Sequence, residues 1–134
     1  MLRKLTELDT YLTQIEEYRA ISVEQYGADW KTQRIIERTL QLMVELGVDI
    51  ANHIISAKAL PVPTSYANTF EILNQAGFIS NGLTRTMVRM AKFRNILVHQ
   101  YTEIDAAIVV AILHDHLNDF VLFRDEIAAI MKRE

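Results

Sequence analysis

In the segment Phe93-Arg94-Asn95-Ile96-Leu97-Val98-His99-Gln100-Tyr101 an arginine interrupts an apolar helical stripe. Leu83, Met87, Met90, Arg94, Leu97 and Tyr101 follow at steps of four, three, four, three and four residues, which keeps them within roughly 60° of one another on a helix. A guanidinium therefore stands where a leucine is expected. Buried unpaired it would cost about 3–5 kcal/mol, so the position needs an anionic partner, a wet cleft or a subunit interface. His99 comes five residues later, about 140° around and about 7.5 Å along a continuous helix. For both side chains to act on one substrate, the helix must end near His99 and turn the imidazole back, or a second copy of the chain must complete the site.

Arginine plus histidine with no metal ligands alongside suits cleavage of RNA by its own 2′-hydroxyl. An imidazole can take a proton from that hydroxyl, or return one to the leaving oxygen, near neutral pH. The arginine can grip the extra charge of a pentacoordinate transition state through a bidentate contact. Asn95 adds an amide donor beside it. This chemistry calls for no metal and no cofactor. The plainer alternative is that His99 closes a helix C-terminus while Arg94 pairs with an acid in the core; the residues alone leave both open.

The elements that must position these groups are helical almost throughout. Leu5, Leu8, Leu12 and Ile15 predict a first helix running to about Tyr26 and ended by Gly27. Asp29 is a natural N-cap for a second helix, which Ile36, Leu40, Met43, Gly47, Ile50 and Ile54 carry to roughly Lys58. Gly47 on that face predicts close helix packing. Pro61 and Pro63 enforce a loop before a third helix from about Ser65 to Ala76, closed by Gly77. Asn81-Gly82 reads as a turn, the motif helix begins at about Leu83, and a break falls around Gln100 to Glu103, where Thr102 and Asp105 can cap the next helix. A last helix from about Asp105 to Lys132 is apolar at Ile108, Ile112, Phe120, Phe123, Ile127 and Ile130. Short connections between long amphipathic helices predict an all-α, up-and-down bundle of about five helices, forming one domain over residues 1–134.

Three further groups of residues compete for a role. The second helix carries a polar stripe through Arg34, Arg38, Gln41, Glu45, Asp49, Asn52 and Ser56. A solvated face explains it; the sharper reading makes Glu45 or Asp49 the anion that orients Arg94 or His99 at an interface. Arg85, Arg89 and Lys92 form a basic stripe about 180° from Arg94, better suited to a solvated face than to the same cleft. His114 and His116 point to different sides of a helix and His53 has no ligand four residues away, so no metal site is expected, and His116 reads as a hydrogen-bonded core histidine.

Composition sets outer bounds. The 134 residues, 50% hydrophobic, suffice for a real core. A net charge of −3 and a pI near 5.8 offer nucleic acid no global attraction, so RNA must be held by local geometry, and no DNA binding is expected. The absence of cysteine removes disulfides and thiolate metal sites. No run is long enough to span a membrane and Met1-Leu2-Arg3-Lys4-Leu5 lacks a secretion signal's apolar block, which predicts a cytoplasmic protein.

Phe-Arg-Asn-x-Leu-Val-His-x-Tyr, with the helix from Arg34 to Gln41, the run Glu45, Asp49, Ile50, Ala51, Asn52 and His53, the Pro63-Thr64-Ser65-Tyr66 entry, Phe70, Leu73 and Gly77-Phe78-Ile79, resembles the HepT-like family of HEPN-domain toxins over nearly the whole chain. The resemblance implies a helical homodimer acting as a metal-independent RNase, partnered by a minimal nucleotidyltransferase antitoxin. It would make Arg94 and His99 the catalytic pair, Asn95 the polar residue beside the arginine, and Tyr101 the hydroxyl that the antitoxin modifies with AMP. The competing reading is a non-catalytic helical module that binds, or is modified by, a nucleotidyltransferase, with Arg94 attracting nucleotide phosphates and Tyr101 accepting the nucleotide.

Overall fold

The computed structural model describes residues 2–99 and 104–132, arranged as seven α-helices among these residues. Helix α1 (Leu2–Ile15) buries Leu5, Leu8, Leu12 and Ile15, the stripe expected of it. It stops earlier than the periodicity suggests. A 3₁₀ turn, Glu16–Tyr18, leads to a separate α2 (Val23–Ala28), because Ser22 and Gln25 form a reciprocal capping box that gives the backbone a new start. Gly27 thus lies inside the short α2. Its neighbour Tyr26 is buried and donates its hydroxyl to the Glu37 carboxylate, tying α2 to the next helix. Burial and that bond together push the phenol above its ordinary pKa.

Asp29 caps α3 (Trp30–Ala57), its carboxylate accepting from the Lys31 amide at 3.0 Å. At 28 residues this helix is about 42 Å long and forms the spine of the bundle. It closes with Ala59 in the left-handed region at φ 53°, and the Leu60 amide reaches back to the Ile55 carbonyl. After the two prolines, Ser65 caps α4 (Tyr66–Gln75), which ends in the same way at Gly77, φ 82°. Helix α5 (Asn81–His99) carries the motif. Asn81-Gly82 is its first turn rather than a free-standing one, because the Ser80 hydroxyl accepts from the Leu83 amide and the Asn74 amide holds the Asn81 side chain at 2.8 Å.

Asp105 caps α6 (Ala106–Asp115), and α7 (Leu117–Lys132) continues the chain at a 50° bend. Periodicity alone predicts one continuous last helix. The break sits at His116, whose backbone leaves helical geometry (φ −122°, ψ −1°) while its Nδ1 lies 2.9 Å from Asp119 Oδ2. Ile108 is 48% exposed, contrary to expectation, while the other five apolar positions of this segment are buried.

All seven helices contribute to one cluster of buried apolar side chains. At its centre the rings of Phe70 and Phe123 meet edge to face, 5.7 Å apart. A Cβ on Gly47 would stand 3.6 Å from Phe70 and Met87 and 3.7 Å from Phe123, so α4, α5 and α7 all converge on the α3 backbone there. This confirms the close packing expected of Gly47. No single helix among the described residues is long and apolar enough to cross a membrane.

Candidate active site at the α3–α5 seam

Helices α3 and α5 run antiparallel: Gly47 faces Met87, Glu45 faces Arg94, and residues 34–41 share a cleft with Leu97. Leu83, Met87 and Met90 are buried, so the α5 stripe faces the core as expected, and the next position on it is Arg94. Its side chain is only 16% exposed. The carboxylate that makes this burial tolerable is Glu45, whose Oε2 lies 2.9 Å from both Nε and Nη2 of Arg94. The Gln41 amide donates to the same oxygen at 2.9 Å.

Two more contacts fix the guanidinium. Its Nη1 donates to Asn95 Oδ1 at 3.2 Å, and its plane lies over the Tyr66 ring with 4.6 Å from Cζ to the centroid. Of the five N–H donors of an arginine, three are thereby engaged and two are left for a ligand. Burial pushes the Glu45 carboxyl up, but the Gln41 amide and Arg94, with help from the Arg38 charge, outweigh it and hold the group below the ordinary carboxylate value. Glu45 is therefore an anion at neutral pH, and Arg94 is held flat and oriented before any substrate arrives.

His99 is the last residue of α5 and is exposed, with no hydrogen-bond partner among the described residues. Asn95 is exposed and turns its oxygen to Arg94, which leaves its amide N–H groups outward. Tyr101 and the expected break at Gln100 to Glu103 lie outside the described residues.

The two acids of the α3 stripe part company. Asp49 stands one turn beyond Glu45, on the flank that α1 covers, and Lys4 approaches it at 3.4 Å. It does not reach Arg94. Toward the other end of α3, Arg34, Glu37, Arg38, Gln41 and Leu97 line an open cleft of about 230 Å³ that shares Gln41 with the Arg94–Glu45 pair. Tyr66 and the bridging role of Gln41 escaped the sequence reading. Gln41 and Glu45 are four apart on one helix, a spacing that could have flagged the bond; nothing in the spacing connects Tyr66 to Arg94.

Arg85, Arg89 and Lys92 are exposed on the far side of α5, as expected of a solvated face. His53 is exposed and His114 bonds to the Ile21 carbonyl at 2.8 Å. His116 is not a core histidine: its side chain is 37% exposed and serves the α6–α7 bend. No three His, Asp or Glu side chains among the described residues converge as metal ligands.

A family model described as "Ribonuclease HepT-like" matches residues 8–127. The mRNA nuclease HepT of Shewanella oneidensis is 37% identical over 105 residues, which cover 78% of this chain and 79% of that one. The tRNA nuclease HepT of Aphanizomenon flos-aquae is 32% identical over 105 residues, 76% of this chain and 69% of its own. Among solved structures, the tri-AMPylated Shewanella oneidensis HEPN toxin in complex with its MNT antitoxin superposes with a TM-score of 0.88 at 32% identity, over 96% of both chains. A toxin–antitoxin structure with AMP-PNP gives 0.89 at 31% identity, again over 96% of both.

Proposed function

Because the chain belongs to the HepT-like ribonuclease family, we propose that it is the toxin of a toxin–antitoxin pair, an endoribonuclease acting in the cytoplasm through Arg94 and His99. The observation that carries this reading is the pre-set guanidinium: a half-buried arginine fixed by Glu45, Asn95 and Tyr66, with two donors to spare, on the same helix as His99 and beside a cleft lined by Gln41 and Leu97.

The 2′-hydroxyl of the RNA attacks the adjacent phosphorus, a new P–O bond forms to the 2′ oxygen, and the bond to the 5′ oxygen breaks. His99 takes the hydroxyl proton; the leaving oxygen receives one in turn. A single imidazole cannot do both in one step, so two-fold pairing of chains, bringing two copies of His99 to one phosphate, completes the acid and the base. Arg94 donates its free N–H groups to the phosphorane oxygens, and the Asn95 amide adds a neutral donor. The products are a 2′,3′-cyclic phosphate and a 5′-hydroxyl.

Control falls to a nucleotidyltransferase antitoxin, as in the complexes of the similar solved structures. Transfer of AMP from ATP to the Tyr101 hydroxyl, with pyrophosphate leaving, would set a bulky phosphate two residues from His99 and supply an anion for the arginine. The test is RNA digestion in excess chelator with mass analysis of the ends. Cyclic phosphate ends from the unmodified chain, and none after treatment with antitoxin and ATP, support the reading; intact RNA from the unmodified chain, or AMP taken up equally by Tyr101→Phe, contradicts it.

A further inference from the structure

Four-residue steps along α3 put Trp30, Arg34 and Arg38 on one ridge that leads toward Glu45 and Arg94. Trp30 is the only tryptophan of the chain, yet it is 61% exposed. Two cations flank its ring: Arg34 Cζ stands 5.2 Å and Lys31 Nζ 5.8 Å from the centroid. Arg34 and Arg38 then form the basic wall of the cleft that Leu97 closes on the α5 side. The one acid in that wall, Glu37, accepts the Tyr26 hydroxyl and leaves the wall with two positive charges against one negative. Among the described residues neither Arg34 nor Arg38 forms an ion pair with a carboxylate. An acidic chain has therefore gathered three cations and an exposed indole along the approach to its half-buried arginine.

We propose that Trp30, Arg34 and Arg38 form a track for single-stranded RNA, with a base stacked on the indole and the intervening phosphates held by the two guanidinium groups. The inference rests on the ribonuclease reading and adds where the substrate lies. From Trp30 to Glu45 the helix rises about 22 Å, which suits a short strand of about four nucleotides. An exposed indole selects a single strand, because bases in a duplex already stack on one another. It also explains how a chain of net charge −3 holds a polyanion: the attraction is local to this ridge.

Trp30 supplies its own probe. In a His99→Ala chain, which would leave the strand uncut, titration with a 12-nucleotide RNA of mixed sequence quenches the tryptophan fluorescence saturably. Replacing Arg34 and Arg38 together by Gln weakens binding at least tenfold at low salt. It also lowers the slope of log affinity against log salt by about 1.4, or about 0.7 for each lost phosphate contact. Trp30→Leu, read by anisotropy of labelled RNA, weakens binding by about five- to a hundredfold. In the chain with His99 intact, all three replacements raise KM and leave kcat within about twofold. RNA that binds without changing Trp30 fluorescence, or a salt slope that survives loss of both arginines, overturns the proposal. So does a Trp30→Leu chain that loses self-association but keeps its RNA affinity, which would assign the ridge to subunit pairing. Quenching and slope as expected, in a protein whose parent form never cuts RNA, would uphold the track and defeat the ribonuclease reading instead.

Discussion

Arg94 and Glu45, 49 residues apart in sequence, meet through two guanidinium nitrogens on a single carboxylate oxygen, each 2.9 Å away. The pair resolves how an arginine can occupy a core-facing position of α5. It also sets the guanidinium's orientation, because Glu45 takes one edge, Tyr66 one face and Asn95 a third donor, and only the remaining donors can meet a phosphate.

Glu45 is thus a positioning residue, and Glu45→Gln should lower kcat about tenfold or more while moving KM little, since a guanidinium displaced by about 1 Å can cost on the order of 100-fold. The same change should destabilise the fold by about 1–2 kcal/mol, as expected for loss of a partly exposed, charged hydrogen bond. Steady-state kinetics and urea melts of the two chains check both.

The acid limb of stability should carry the same signature. The Glu45 carboxyl lies below its ordinary value in the folded chain, so its contribution is present in full above the unfolded glutamate value of about 4.3 and is lost as pH falls through the lower, folded one. Melting temperature tracked from pH 6 down to pH 3 should drop more steeply in the parent than in Glu45→Gln, with no difference in slope above about pH 5.

Tyr66 tests the stacking contact separately. Tyr66→Phe keeps a ring under the guanidinium and should leave RNA cleavage within about twofold. Tyr66→Leu removes the π face, a loss of about 1 kcal/mol, and should reduce kcat/KM by about fivefold. Equal rates for Leu and Phe would show that the ring only fills space.

Two helix ends with the same hydrogen-bond pattern give opposite expectations. Ala59 adopts a left-handed backbone that favours glycine, and Gly77 adopts it with nothing within 4 Å of where a Cβ would sit. Ala59→Gly should stabilise and Gly77→Ala should destabilise, each by about 1 kcal/mol, because conformation alone is at stake. Paired denaturant curves check the signs.

The long elements are legible in the sequence where periodicity is sustained and capped: Asp29 and Asp105 each cap a helix as their side chains predict, and the third helix starts at Ser65 as expected. Periodicity misleads where a local side-chain bond outcompetes it. Ser22 with Gln25 splits the first helix, His116 with Asp119 splits the last, and Ser80 turns Asn81-Gly82 into a helix start. The site obeys the same rule. Arg94 stands out because its charge breaks an apolar stripe, and Glu45 is one of two acids in reach; choosing it over Asp49, and finding Tyr66, requires knowing how α1 and α4 pack on the spine. A spacing along one helix carries no information about a partner on another.

Whether Arg94 and His99 act on one phosphate is decided by single-turnover cleavage of a short RNA by the parent, Arg94→Ala, His99→Ala and the double variant. Groups that serve the same transition state are strongly non-additive. Each single variant should therefore lose at least about 100-fold, and the double variant should fall no more than about tenfold below the slower of them. Single variants that cleave within about twofold of the parent would show that the two side chains do not share the reaction.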